Sequence, residues 1–241
     1  MRLDKYLVEQ GYFESRNRAI EAIKAGEVLL DSHTPKPSSL VKETSVIEVK
    51  TGKYYVSRAA RKLEEFLGEY PASIAGRRCL DIGSSTGGFT QILLEQGAET
   101  VDCVDVGRDQ LHDSLRSDKR VDVHEQTDIR DFDAPPFEVI VSDVSFISLL
   151  HVLEAVDRLA APSADIILLF KPQFEVGREA KRDSKGVVTD KAAIVKAMER
   201  FEIATAELGW RMCQKTPSSI VGKEGNWEWV YWFNNTPQTP S

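Results

Sequence analysis

Four side chains in this 241-residue chain stand out for the chemistry they could do: Lys62, Asp143, Lys171 and Glu228. Asp143 closes the apolar run Val139-Ile140-Val141-Ser142, and Lys171 closes Ile166-Ile167-Leu168-Leu169-Phe170. Runs of this kind read as buried strands of an open α/β sheet, whose carboxyl ends form the ligand crevice. An aspartate and a lysine placed there share a partly dry pocket. Burial favours the uncharged amine, whereas the nearby carboxylate favours the ammonium. If burial prevails, Lys171 can take a proton from a substrate hydroxyl and turn a poor nucleophile into a competent one. Lys62 falls on an amphipathic helix with Leu63, Phe66 and Leu67 inward, where it is either a solvated charge or a site residue. Glu228 shares one face of a predicted strand with Val230 and Trp232, which makes it either a hairpin surface charge or a placed carboxylate.

A second group surrounds a glycine-rich turn, Asp81-Ile82-Gly83-Ser84-Ser85-Thr86-Gly87-Gly88-Phe89. Small residues there let a ligand approach the backbone closely. The spacing is G-x-x-x-G-G, unlike the G-x-G-x-x-G that cradles a pyrophosphate, so a nicotinamide dehydrogenase is disfavoured. Asp81, just before the glycines, suits a cationic amino-acid group better than a phosphate. Asp105, followed by Val106, lies 24 residues after Asp81, near where an acidic side chain binds ribose hydroxyls in dinucleotide folds. With Asp128 as a contact to the base, the set suggests an adenosine carrying a methionine tail, S-adenosylmethionine, and Asp143 borders the same pocket.

Alternating strand and helix patterns position these residues from Arg78 onward. Strands are predicted at 78–82, 100–106, 121–125, 137–143, 165–170, 211–220 and 227–233, with helices at 87–97, 146–160 and 190–208. The expected architecture is a Rossmann-like α/β domain: a seven-stranded, mostly parallel sheet with helices on both faces. Before it stands a small α+β module. Leu3, Leu7 and Val8 lie at helical spacing, and Ser15 caps a second helix with Ala19, Ile20 and Ile23 inward, which Gly26 ends. Strands at 27–30 and 45–49 flank a turn-rich stretch. The expected domains are 1–52, including a connection from about Lys50 to Tyr55, and 53–241.

The net charge of −7 hides an asymmetry: residues 1–78 sum to +3 and residues 79–241 to −10. A polyanion should meet the front of the molecule first. Arg2, Lys5, Arg16, Arg18 and Lys24 lie off the apolar stripes, where they either hold phosphates or form an ordinary solvated face. Cys79, Cys103 and Cys213 have no C-x-x-C spacing, so a disulfide framework or zinc site is not expected. No apolar stretch is long enough to span a bilayer and the start lacks a signal peptide's apolar core, which predicts a cytoplasmic protein with no membrane partner.

Arg2-Leu3-Asp4-Lys5-Tyr6-Leu7, then Ser15-Arg16 with Ala19, Ile23, Gly26 and Val28, resembles the alpha-L (S4-type) RNA-binding motif of a small-subunit ribosomal protein, some pseudouridine synthases and some RNA methyltransferases. Asp31-Ser32-His33 replaces that motif's usual Asn-Gly. Over nearly its whole length the chain is similar to the TlyA family of bacterial ribosomal-RNA 2′-O-methyltransferases, often labelled hemolysin A, whose catalytic domain resembles FtsJ. The matching runs include Tyr55-Val56-Ser57-Arg58-Ala59-Ala60, Asp81 to Thr90, Asp105-Val106-Gly107, Asp143 to Leu149, Lys171 to Gly177 and Gly225-Asn226-Trp227-Glu228. The resemblance implies a Lys62, Asp143, Lys171, Glu228 set with Lys171 as base, S-adenosylmethionine as cofactor, no metal, and cytidine in ribosomal RNA as substrate. It implies Arg58 as a further RNA contact and ribosomal subunits as partners, with a monomer expected. Starting at the RNA-binding motif is similar to the shorter family form, which modifies the large subunit; the longer form modifies both. Arg108-Asp109 stands where the family has Tyr-Gly, and Thr127-Asp128 where it has Thr-Asn. The rival readings are a non-catalytic ribosome assembly factor that keeps the cofactor pocket, and a pore-former, for which no suitable apolar or basic amphipathic segment is present.

Overall fold

The computed structural model describes all residues except 11, 14, 43, 50–54, 223 and 237–241. Gly11 and most of the 50–55 connection therefore lie outside the described residues. The chain forms two compact units, Met1–Tyr54 and Tyr55–Ser241.

The front unit contains α1 (Leu3–Glu9), α2 (Arg16–Lys24), β1 (Val28–Leu30) and β2 (Ile47–Val49). Ser15 caps α2 by accepting the Arg18 amide at 3.3 Å. Leu3, Leu7, Ala19, Ala22, Ile23 and Val28 make the core. Ile20 is only half-buried, because Ala22 rather than Ile20 completes the inward face. β1 and β2 pair antiparallel with Val28 opposite Val49, and each is shorter than its alternation predicts. At Asp31 and Ser32 the chain takes the left-handed conformation, φ 51° and 63°, where a glycine would be unstrained. The Asp31 carboxylate steadies this turn by accepting the Val46 amide at 2.8 Å.

Asp4 anchors this unit. It is fully buried, and it accepts two hydrogen bonds from Arg2 at 3.0 Å and one from Arg16 at 2.9 Å. These guanidinium groups, Arg2 foremost, hold its carboxyl well below the usual carboxylate range. A depressed carboxyl pKa contributes stability that is present above the unfolded value of about 4 and lost as the pH falls through the folded value. Asp4→Ala is expected to speed amide exchange across residues 3–24 about tenfold or more at neutral pH, through loss of a buried acceptor. Its front unit should also show less of the wild type's decline in protection below pH 4. Hydrogen-exchange mass spectrometry checks both.

The second unit runs α3 (Arg58–Glu69), β3 (Arg78–Ile82), α4 (Gly88–Glu95), β4 (Thr100–Asp105), α5 (Asp113–Arg116), β5 (Val121–Glu125) and β6 (Phe137–Ser142). A 3-10 turn (Leu149–His151), α6 (Leu153–Leu159), β7 (Ala160–Phe170), α7 (Pro172–Glu175), α8 (Lys191–Glu207), β8 (Arg211–Pro217) and β9 (Trp229–Asn234) follow. The seven strands form one sheet in the order β5-β4-β3-β6-β7-β9-β8. All pairs are parallel except those made by β9, which runs antiparallel to both β7 and β8. Successive residues point to opposite faces. Leu80, Ile140, Ile166, Leu168 and Phe170 pack on one side with Val156 of α6 and Phe201 of α8. Cys79, Val139, Val141, Ile167 and Leu169 pack on the other with Leu63 of α3 and Ile92 of α4. The architecture is the Rossmann-like sheet that the alternating pattern predicts.

Several boundaries differ from expectation. The predicted helix 146–160 is a loop, the 3-10 turn and a short α6, because Phe146 takes φ 66° and Ser148 starts the turn by accepting the Leu150 amide. β7 begins at Ala160 rather than 165, across a register shift opposite Phe137 and Val139. β8 ends at Pro217 and β9 begins at Trp229, so Glu228 precedes the strand instead of lying within it. Cys79 and Cys103 are free and buried, and burial pushes the Cys79 thiol up to about 12.

Candidate active site

The chain crosses from β3 to β4 and β5 on one side of the sheet's centre, then returns to β6 on the other, so the carboxyl ends of β4, β3 and β6 open around a switch point. A cavity of about 410 Å³ lies there, lined by residues that include Gly83, Ser85, Asp105, Val106, Asp128 and Asp143. Ile82, Val104, Ile129, Ile147 and Val152 supply apolar wall. Gly83 has φ 76°, and a β-carbon on it would come within 3.1 Å of the Val144 side chain. The turn therefore needs glycine both for its conformation and for the approach of the β6 end. Gly88 opens α4 against α3: a β-carbon there would lie 2.9 Å from the Ala60 amide and closer still to Ser57 Oγ. Ser84, Thr86, Gly87, Gly88 and Phe89 shape the turn from outside the cavity lining.

Asp81 is not in the lining either. It is 1% exposed, and one of its oxygens accepts both the Thr90 amide at 2.9 Å and the Thr90 hydroxyl at 2.6 Å. Burial, opposed by these bonds, raises its carboxyl to about 7. Asp105 reaches the rim, accepting the Ser85 amide at 2.8 Å on one oxygen and the Gly107 amide at 2.7 Å on the other. Asp128 is held by Arg130, whose guanidinium lies 2.5 Å away, and this pairing lowers its carboxyl to about 2. Glu125, which sequence reasoning missed, organises the neighbouring loop. It accepts the amides of Asp109, Gln110 and Leu111 and pairs with Arg116 at 2.6 Å. Burial alone would raise its carboxyl, yet these donors bring it to about 2.

The four chemistry-bearing residues form two ion pairs, one partly buried and one buried. Lys171 Nζ lies 2.5 Å from Asp143 Oδ1 and also contacts Ser145 Oγ at 2.8 Å. Lys62 Nζ lies 2.6 Å from Glu228 Oε2, with Lys62 8% and Glu228 2% exposed. Sheet register explains the proximities. Phe170 of β7 faces Trp229 of β9, which brings Lys171 and Glu228 together at adjoining strand ends. Asp143 follows Ser142, which pairs with Ile82 of β3 and Leu168 of β7. Gln173, another residue given no role beforehand, donates to Glu228 Oε1 at 3.4 Å. Its only signal was its place two residues after Lys171. Phe146 borders the cavity, is 92% exposed, and lies 5.2 Å from Phe174 ring to ring.

The expected RNA-facing cations are dispersed in character. Arg2 and Arg16 pair with Asp4, Lys5 with Glu9 at 3.4 Å, and Arg18 with Glu21 at 3.5 Å. Lys24 is exposed. Arg58, in the second unit, is exposed and donates to the Val221 carbonyl at 3.2 Å. Among the described residues no cluster of potential metal ligands occurs, and no described helix is long and apolar enough to cross a membrane.

Residues 55–235 match the FtsJ-like methyltransferase family, and residues 1–47 match the S4 domain. A Campylobacter jejuni protein named 23S rRNA (cytidine-2′-O)-methyltransferase TlyA is 47% identical over 97% of this chain and 99% of its own length. A Mycobacterium tuberculosis protein named 16S/23S rRNA (cytidine-2′-O)-methyltransferase TlyA is 41% identical over 96% of this chain and 89% of its own. A solved structure of a hemolysin-named protein from Streptococcus thermophilus superposes with a TM-score of 0.74 at 34% identity, covering 98% of this chain and 89% of that one.

Removing one member of a buried pair strands the other charge, which costs about 3–5 kcal/mol. Lys62→Met should therefore destabilise the second unit by that order, and the double variant Lys62→Met/Glu228→Leu should regain most of the loss. Denaturant unfolding followed by tryptophan fluorescence, sensitive to Trp229 and Trp232, reads both.

Proposed function

Because the chain belongs to the FtsJ-like methyltransferases, and within them to the TlyA family with its leading S4 domain, we propose that it methylates the ribose 2′-hydroxyl of a cytidine in ribosomal RNA. The observation that carries this reading is the partly buried Lys171–Asp143 pair, of which Asp143 also lines the cavity. The donor is S-adenosylmethionine, which when bound supplies a methyl group already activated on a sulfonium. The cavity fits it. Asp105 at the end of the second parallel strand suits ribose hydroxyls, the apolar wall suits an adenine, and the glycine turn allows close approach of a ligand to the backbone. Asp81 fixes α4 through Thr90 with one carboxylate oxygen from behind the turn.

Within this reading Lys171 Nζ takes the proton that the 2′-hydroxyl must lose, and Asp143 stabilises the ammonium that results. Lys62 and Glu228 orient the ribose, with Gln173 holding the carboxylate in place. The protein's contribution is alignment and a preset field, which needs no metal. The front unit's cations bind the RNA backbone: Arg2 and Arg16 keep half-exposed side chains even while paired with Asp4.

The test uses large and small ribosomal subunits, offered separately, from a strain lacking this protein, with methyl-labelled S-adenosylmethionine. Label should appear in RNA and survive alkali as a resistant dinucleotide. Lys171→Ala should lower the rate about 100-fold or more while cofactor affinity holds. Measurable cofactor binding with no label on either subunit would instead make the protein a non-catalytic assembly factor.

A further inference from the structure

Between α7 and α8 the chain makes a small hairpin that the reaction scheme leaves unused. Arg182 bridges Val188, the Thr189 amide donates to the Lys181 carbonyl at 2.9 Å, and Asp183 closes the tip by accepting the amides of Lys185 at 2.8 Å and Val187 at 2.9 Å. Arg178, Lys181 and Lys185 project from it, all exposed. Among the described residues no carboxylate pairs with any of the three. In a region of net charge −10, three unpaired cations within eight residues are a local reversal of sign.

The hairpin is tied to the reaction centre at two points. Arg182 donates to the Gln173 carbonyl at 3.3 Å, and the Val188 amide donates to Asn226 Oδ1 at 2.9 Å. Gln173 follows Lys171 by two residues and holds Glu228, while Asn226, itself 5% exposed, precedes Glu228 by two. A solvated surface loop has no need of such anchoring, whereas a phosphate grip that must set the position of a ribose does.

We propose that the hairpin over residues 177–189 is an RNA-binding element in its own right, with Arg178, Lys181 and Lys185 holding backbone phosphates of the substrate strand beside the reacting nucleotide. It rests on the reading of the protein as an RNA methyltransferase. The contacts are electrostatic and independent of base sequence, and they are additional to those of the S4 domain.

The full-length triple variant Arg178→Gln/Lys181→Gln/Lys185→Gln tests it, with Lys119→Gln/Lys196→Gln/Arg211→Gln as a control carrying the same charge change at exposed sites elsewhere. Binding to each purified ribosomal subunit is measured across a salt series, alongside the Kd for S-adenosylmethionine and the thermal midpoint. The hairpin variant should bind the substrate subunit at least about tenfold more weakly and flatten the log Kd against log salt slope by about two, for three lost phosphate contacts. Its cofactor Kd and midpoint should match wild type, the control should bind like wild type, and Lys181→Arg/Lys185→Arg should retain binding. Wild-type affinity and slope in the hairpin variant, or an equal loss in the control, overturns the proposal, as does wild-type protein that binds neither subunit. Because binding is read apart from transfer, loss in the hairpin variant stands even if no methyl moves, an outcome that sinks only the functional reading.

Discussion

Burying a lysine against a glutamate is costly unless each satisfies the other, and much of the second unit is arranged around that requirement. Lys62 and Glu228 are 166 residues apart in sequence and 2.6 Å apart in space. Bringing them together takes an α3 seated on α4 through Gly88, and a β9 inserted between β7 and β8 in a register that halts at Trp229. The second pair, Lys171 with Asp143, needs only two neighbouring parallel strands, with β7 running on to Phe170 past the Leu168 that pairs with Ser142 at the end of β6. One pair is thus set by local topology and the other by closure of the whole unit, where Gln173 also donates to Glu228.

The cavity follows a different logic. Its carboxylates are satisfied by the protein's own donors: Asp105 by the amides of Ser85 and Gly107, Asp128 by Arg130. Glu125 uses three consecutive amides to fix the loop behind Gln110. Polar groups paired in this way stay in place without a ligand, so a ligand meets a shape already formed and trades hydrogen bonds instead of ordering a loop.

The sheet was legible because its central parallel strands are buried on both faces and so read as short apolar runs that lead into functional residues. Cys79 to Ile82, Val139 to Ser142 and Ile166 to Phe170 show this directly. Asp143 and Lys171 could be found for the same reason. Lys62 and Glu228 could not be told from surface charges by periodicity, since a buried ion pair leaves no apolar signature at either partner; the resemblance to a family singled them out. Position Phe146 reads as helix by composition, yet at the cavity edge its backbone takes the left-handed conformation. The partner of Asp81 was equally hidden, because a buried carboxylate facing Thr90 is indistinguishable in sequence from one facing a ligand.

The position of Glu228 immediately ahead of the last strand has a consequence for biosynthesis. A chain is made from its amino terminus, and domains tend to fold as they emerge. The front unit, complete by residue 54, can fold while most of the sheet is still unmade. Lys62 then waits for a partner that arrives with β9, the last strand of the sheet in chain order. A nascent chain can therefore acquire its grip on RNA well before its second ion pair exists, which orders the two capacities in time during translation.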